Sequence, residues 1–239
     1  AYSASDFRKD ALREMAEITK RGKIPVLVGG TMLYYRALEN GLADLPEADQ
    51  NVRAKLTAKA KESGWDGMHE RLAEIDPVAA ERIHPNDPQR IQRALEVYEL
   101  TGKPLTQHHQ EEKKNALPYR LMKIALIPKD REWLRSLAKV RFEQMLQQGF
   151  IDEVKTLYQR DDLHKDLPAI RAVGYRQAWE YLEGLLSEEE MKERAVIATR
   201  QLAKRQMTWL RSEKNVHRYD AQTVSFSAVC RDIENFLNN

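Results

Sequence analysis

The run Ile24-Pro25-Val26-Leu27-Val28-Gly29-Gly30-Thr31-Met32-Leu33-Tyr34 constrains this chain most. Residues 24–28 form a continuous apolar stretch, too short for a buried helix and suited to a central strand of a parallel sheet. Gly29 and Gly30 permit a sharp turn, or the close approach of a ligand to the backbone. Thr31 falls where a helix N-cap belongs, its hydroxyl near the unpaired N–H groups of a first turn. Strand, glycine turn and helix place the segment at the carboxyl end of a strand, where open α/β sheets bind ligands. An ordinary connection uses the same pattern, so the run by itself fixes fold class and not function.

The flanking sequence continues an α/β rhythm. Phe7, Ala11, Met15 and Ile18 recur at helical spacing over residues 5–21, with Ser5 as N-cap and Gly22 as stop. Residues 31–39 read as a second helix. Further strands are predicted at Leu121–Ile127, before Pro128, and at Val216–Tyr219. These are few strands for a parallel sheet. The chain also begins Ala1-Tyr2-Ser3, without an initiator methionine or a signal-peptide pattern. Both features predict that N-terminal strands of the sheet are missing from this sequence. Between the strands, residues 50–105 are polar and helical, which predicts a helical insertion. Asn86-Asp87-Pro88 starts one of its helices and Gly102 ends it. Gln107 to Asn115 is expected to be a mobile polar loop, followed by helices over 131–148, 151–159, 170–182, 188–211 and 225–237. The expected organisation is a first core part (1–45), a helical insertion (46–116) and a mostly helical second core part (117–239).

Composition sets outer bounds. With 42% hydrophobic and 32% charged residues in 239, the chain has the make-up of a helix-rich globular protein. No apolar run is long enough to cross a bilayer. Thirty-nine basic and 37 acidic side chains leave a net charge of +2, so any case for nucleic acid must come from local clustering. Cys230 is the single cysteine, which excludes an internal disulfide and fits a reducing compartment.

Several stretches could carry chemistry. On the helix predicted from Arg131, Leu134, Leu137, Ala138 and Met145 form an apolar stripe, and Arg141 falls inside it. A cation so placed needs a partner. That partner is either a carboxylate in a core ion pair or a phosphate held by the guanidinium fork. Gln89-Arg90-Ile91-Gln92-Arg93 sets two arginines at the start of a helix, against the positive end of its dipole. This fits an anionic partner or a solvated first turn. Arg171-Ala172-Val173-Gly174-Tyr175-Arg176 combines cations with an aromatic ring, the ingredients of single-stranded RNA binding. Lys204-Arg205-Gln206-Met207-Thr208-Trp209-Leu210-Arg211 has the same ingredients on a helix, where Arg200, Lys204 and Arg211 share a face; Met207 and Trp209 also suit a core. Thr101-Gly102-Lys103-Pro104 imitates only the end of a Walker A loop, with Val97 and Pro104 where glycine and Ser or Thr belong. His108-His109 lack the i, i+4 spacing of helical metal ligands, and no Cys/His metal pattern is present.

Taken in order, these segments resemble the bacterial tRNA dimethylallyltransferases, also called tRNA isopentenylpyrophosphate transferases. The matching stretches are Ser3–Asp10, Pro25–Tyr34, His84–Arg90 through Glu96, Arg141-Phe142, Arg171–Arg176 and Thr199–Arg211. The resemblance implies an α/β, P-loop-kinase-like parallel sheet core with a helical insertion that grips the anticodon stem-loop. It implies transfer of a dimethylallyl group from dimethylallyl diphosphate to the exocyclic amine of the adenosine 3′ of the anticodon. By the same resemblance, Arg141 holds the diphosphate and Thr31 belongs to the catalytic group beside the flipped base. Arg53, residues 89–93, 171–176 and 204–211 (Gln89, Arg90, Ile91, Gln92, Arg93; Arg171, Ala172, Val173, Gly174, Tyr175, Arg176; Lys204, Arg205, Gln206, Met207, Thr208, Trp209, Leu210, Arg211) would contact tRNA. Mg²⁺ would assist at the diphosphate.

The sequence departs from that family in one large way. The family's P-loop and proposed general-base aspartate would precede Ala1, so no carboxylate here takes the base's role, and the chain alone is expected to be inactive. The expected setting is a cytoplasmic monomer with no membrane partner. Two alternatives stay open: an adenylate isopentenyltransferase acting on free nucleotides, and a non-catalytic RNA-binding remnant. The helical insertion and the basic clusters weigh against the first, because a mononucleotide needs no such footprint.

Overall fold

The structure, a computed structural model, describes residues 2–43, 45–111 and 117–238. Helices α1 (Ala4–Lys20), α2 (Met32–Asn40), α3 (Gln50–Ile75), α4 (Pro77–Arg82), α5 (Pro88–Thr101) and α6 (Leu105–Glu111) precede strand β1 (Lys123–Leu126). Then come α7 (Arg131–Gln147), α8 (Phe150–Tyr158), α9 (Tyr175–Leu182), α10 (Glu188–Ser212), strand β2 (Val216–Tyr219) and α11 (Phe226–Asn238). β1 and β2 pair in parallel, with Lys123 opposite Val216 and Leu126 opposite Tyr219. The α/β class and both of these strands follow the sequence reading.

Three expectations change. Residues 24–28 are not a buried strand: Ile24, Val26 and Val28 are 58%, 76% and 93% exposed. A strand exists through its ladder partners, and among the described residues the only sheet is β1-β2. An apolar run marks a segment able to be buried, but it supplies no neighbour. The helix expected from residue 170 begins at Tyr175, because Gly174 sits at φ +93° as its N-cap and residues 160–174 form turns. Residues 107–111 belong to α6 and not to a loop; residues 112–116 lie outside the described set.

The chain folds as two compact units: residues 1–3, 25–33 and 119–239 form one, and residues 4–24 and 34–118 the other. In the second unit, Phe7 of α1 stacks on Tyr34 of α2 at 4.5 Å between ring centroids. Its core gathers Leu56, Met68 and Leu72 of α3, Ala79 and Ala80 of α4, and Ile91 and Leu95 of α5. α3 starts where the Asp49 carboxylate accepts from the N–H groups of Asn51 and Val52. α5 starts with Pro88 behind the Asp87 cap and stops at Gly102, φ +69°.

One buried carboxylate ties these elements together. Glu96 is 0% exposed. Its Oε1 accepts from the Asp49 N–H and from Arg53 Nε, both at 2.9 Å. Its Oε2 accepts from Arg53 Nη2 at 3.1 Å and Arg93 Nη1 at 2.7 Å. Arg93 also donates to the Pro46 carbonyl at 2.7 Å. Burial pushes the Glu96 carboxyl up, but the hydrogen bonds from Arg53 and Arg93 outweigh it, and the group lies below the ordinary 4.5.

The other unit has its own core of Phe142, Phe150, Val154, Ile170, Trp179 and Met191. Gly174 is buried beside it, and a Cβ there would lie 3.4 Å from the Phe150 ring.

Because the native state lowers the Glu96 pKa, its contribution is complete above the unfolded value of 4.5 and fades as pH falls through the folded value. Glu96→Gln is therefore expected to lower stability at pH 7 by about 3 kcal/mol, the low end of the buried-pair range because Arg53 lies partly in solvent. The same variant should flatten the acid limb of the stability curve. Chemical denaturation at pH 7 and below pH 4.5 checks both.

Candidate substrate groove

α7 has one fully buried side chain, Phe142, which packs into the core together with the half-buried Met145 and Leu146. The adjoining helical face carries Leu134, Leu137, Ala138, Arg141 and Gln144, spaced at i, i+3, i+4, i+7 and i+10. These five line a groove of about 1140 Å³ whose other wall is α10. α10 contributes Ile197, Arg200, Gln201, Lys204, Met207, Thr208 and Arg211 at the same helical spacing. The stripe read from sequence is real as a spacing but only partly buried: Leu134, Ala138 and Met145 are half-buried, Leu137 is 41% exposed and Arg141 is exposed. An arginine in that stripe therefore faces an open groove, and no core carboxylate meets it.

The charge in this groove has one sign. Arg131, Arg135 and Arg141 line it from α7, Arg200, Lys204 and Arg211 from α10, and no aspartate or glutamate lines it. Arg135 pairs with Glu132. Among the described residues the other five cations make no ion pair. Neighbouring like charges repel one another, so the arrangement favours an anion that relieves the repulsion. Much of the remaining lining is apolar, from Pro128, Leu134, Leu137, Val140, Ile197, Leu202 and Met207, with glutamine and threonine side chains between. Such a groove accepts a ligand with a strongly anionic head and a short apolar body.

The glycine turn meets α10. Gln206, which also lines the groove, donates from Nε2 to the Gly30 carbonyl at 3.0 Å. Thr31 stands just before α2 and is exposed. Its hydroxyl makes no hydrogen bond among the described residues, so it does not cap α2 as its position predicted.

Within residues 204–211, Lys204, Gln206, Met207, Thr208 and Arg211 line the groove. Arg205 and Trp209 line a smaller pocket of about 350 Å³ with Gln201, Lys204 and Thr208. Leu210 is half-buried, and its carbonyl accepts from Arg218 at 3.0 Å. In residues 171–176, Arg171, Ala172 and Arg176 are exposed, Val173 is half-buried and Gly174 is buried. Arg176 lies 3.7 Å from Glu180. The Tyr175 ring packs edge-on against Phe150, with centroids 5.2 Å apart, and its hydroxyl donates to Glu153. That hydrogen bond, reinforced by burial, pushes the phenol up. Tyr175 is thus built into the rim of the core and is not a free stacking platform.

The remaining residues singled out from sequence belong to the helical unit. Ile91 is 0% exposed and offers no surface to a ligand. Arg53 and Arg93 share the Glu96 carboxylate. Gln92 donates to Thr57 Oγ1 at 2.9 Å and to the Arg53 carbonyl at 3.2 Å. Gln89 and Arg90 are both exposed, and Arg90 is paired only with Asp87, at 3.3 Å. Sequence reasoning missed Arg131 and Arg135 in the groove and Glu96 as the anchor. The spacing of 131, 134, 135, 138 and 141 held the signal for the first two; nothing local marked Glu96.

The residues present do not form a site for Mg²⁺. Among the described residues no three His, Cys, Asp or Glu side chains come together, and the groove has no carboxylate.

This combination defines a class: an α/β protein with a cation-lined, partly apolar groove suited to an organic diphosphate. Comparison with known proteins makes it particular. Residues 1–213 match the model of the IPP transferase family, and the chain belongs to that family. It is 58% identical over 229 residues to the tRNA dimethylallyltransferase of Thioalkalivibrio sulfidiphilus (strain HL-EbGR7), a match covering 96% of this chain and 72% of that protein. The full-length tRNA isopentenylpyrophosphate transferase of Bacillus halodurans superposes with a TM-score of 0.64 at 36% identity, over 100% of this chain and 73% of that one. A eukaryotic dimethylallyltransferase acting on tRNA superposes with a TM-score of 0.79 at 26% identity, over 100% of this chain and 63% of that one.

Arg141→Leu is expected to leave the fold intact, within about 0.5 kcal/mol, because it is a surface change away from the core. Binding of inorganic pyrophosphate should weaken about tenfold, as one charge-assisted contact is lost. Thermal melting and isothermal titration calorimetry read the two effects separately.

Proposed function

We propose that this chain performs tRNA prenylation through the groove between α7 and α10, with dimethylallyl diphosphate as donor. The chemistry asks for two things of such a groove. As the allylic C–O bond breaks, the diphosphate leaves with the bonding electron pair and its charge grows, so cations aimed at it stabilise the transition state more than the ground state. The five-carbon group left behind is apolar and carbocation-like, so it favours a surface without water. The exocyclic amine of the adenosine then bonds to the allylic carbon and gives up a proton. No carboxylate lines the groove, so these residues handle the anion and the apolar group, and the proton goes to a base outside the groove.

The observation that carries this reading is the union of six cations, five of them without an ion pair among the described residues, with apolar side chains in one groove. Arg141 is the residue we assign to the diphosphate, because it projects from the middle of the α7 face. Thr31 is assigned to the acceptor base, because its exposed hydroxyl is unengaged and its turn is fastened to a groove residue. The base must leave its stack to reach a groove donor.

The acceptor's backbone is the stronger anion by far, and phosphate contacts release counterions. We assign such contacts to exposed cations, Arg171 and Arg205, and to Arg90 and Arg176, whose only partners are surface carboxylates one helical turn away. Arg53 and Arg93 add to this surface only through what Glu96 leaves free. The proposed donor, a tRNA anticodon stem-loop as acceptor and a cytoplasmic setting complete the reading. A free adenine nucleotide as acceptor would leave the helical unit's cations without a role.

The direct test incubates the full-length enzyme with dimethylallyl diphosphate and tRNA, and looks for dimethylallyladenosine by mass spectrometry of the digested RNA. Modification of AMP but not of tRNA would move the chain to the free-nucleotide class. Thr31→Ala is expected to lower single-turnover transfer at least tenfold while leaving stability nearly unchanged. An equal loss of stability and rate would make Thr31 a structural residue. Arg90→Ala with Arg205→Ala should weaken tRNA binding and reduce its salt slope by about 0.7–0.9 per lost contact.

A further inference from the structure

Resting on the prenyl-transfer reading above, we infer that Gln206 is a positioning residue that locks the Gly29-Gly30-Thr31 turn onto the groove. Two independent features of the structure meet here. Gln206 Nε2 donates to the Gly30 carbonyl at 3.0 Å across 176 positions of sequence. A Cβ built on Gly30 would overlap that same Nε2. The Gly30 φ is not in the left-handed region, so a side chain there would act by displacing the Gln206 amide and breaking this hydrogen bond.

Val28 before the turn is 93% exposed, and the Thr31 hydroxyl makes no hydrogen bond among the described residues. Gln206 is half-buried on α10, one turn from Thr199-to-Arg211 neighbours that line the groove, and its own side chain lines it as well. The amide thus connects the residue assigned to the acceptor base with the wall assigned to the donor. In a reaction between two bound substrates, misplacing one by about 1 Å can lower the rate a hundredfold. Gln206 would then act through Thr31 on the rate at saturation, whereas a direct tRNA contact would act on tRNA affinity.

The test uses Gln206→Leu, Gln206→Glu, Gly30→Ala and the Gly30→Ala/Gln206→Leu double variant of the full-length enzyme. Gln206→Glu keeps the size but sets a carboxylate against the Gly30 carbonyl, so it remains informative if the leucine variant folds poorly. Single-turnover transfer at saturating donor and tRNA is measured beside the tRNA dissociation constant and the melting temperature. Each single variant is expected to slow transfer about tenfold or more, with tRNA affinity within twofold of wild type. The double variant should be no slower than the slower single, because both changes break one contact. A Gln206 variant that loses tRNA affinity but transfers normally at saturation would make Gln206 a tRNA contact and overturn the proposal. So would unchanged kinetics, or losses that multiply in the double variant. Absence of transfer by the wild-type enzyme would instead defeat the prenyl-transfer reading itself.

Discussion

The groove depends on how α7 divides its surface between core and solvent. Phe142 packs against Phe150, with ring centroids 5.9 Å apart at 72°, and fixes the helix's rotation. Once that face is committed, helical spacing brings Leu134, Leu137, Ala138 and Arg141 together on the face beside it. Apolar and cationic side chains then share one surface because of their position, and α10 repeats the pattern from across the groove. A modest loss of packing at Phe142 would turn both sets of residues at once. The proposed groove therefore rests on an aromatic contact between Phe142 and Phe150.

The helical unit treats arginine in the opposite way. There Glu96 is fully buried and takes four hydrogen bonds, three of them from two guanidinium groups. Removing either arginine would leave a buried carboxylate oxygen short of a charged donor. The network joins the loop at Pro46, the cap of α3 and the body of α5, and so fixes which way the ends of those helices point. Arginines so held are rigid, with less side-chain entropy left to lose on meeting a phosphate. Two fates of one residue type follow from the presence or absence of a neighbouring carboxylate.

Much of this was legible in the sequence. Helix ends at Asp87-Pro88 and Gly102, the strands around 123–126 and 216–219, and the spacing that puts Arg141 with leucines all follow from local rules. What local rules could not give was the direction each pattern faces. The stripe on α7 was read as buried because apolar residues usually are; only the position of Phe142 shows that a second face holds the core. Residues 24–28 were read as a strand from composition, yet a strand needs a ladder partner that composition cannot name. Glu96 with Arg93 three residues before it resembles any helical i, i+3 pair, since its other partners lie 43 and 47 positions away. The Gly30–Gln206 contact is longer still in sequence. Resemblance to a family supplied the roles of Thr31 and Arg141, which spacing alone left open.

The most direct measurement is a crystal structure of the enzyme with a non-hydrolysable thio-analogue of dimethylallyl diphosphate. The account predicts the diphosphate between α7 and α10 within hydrogen-bond reach of Arg141, with the dimethylallyl group against the apolar lining and directed toward the Thr31 turn. A diphosphate bound elsewhere, with Arg141 still facing solvent, would contradict it.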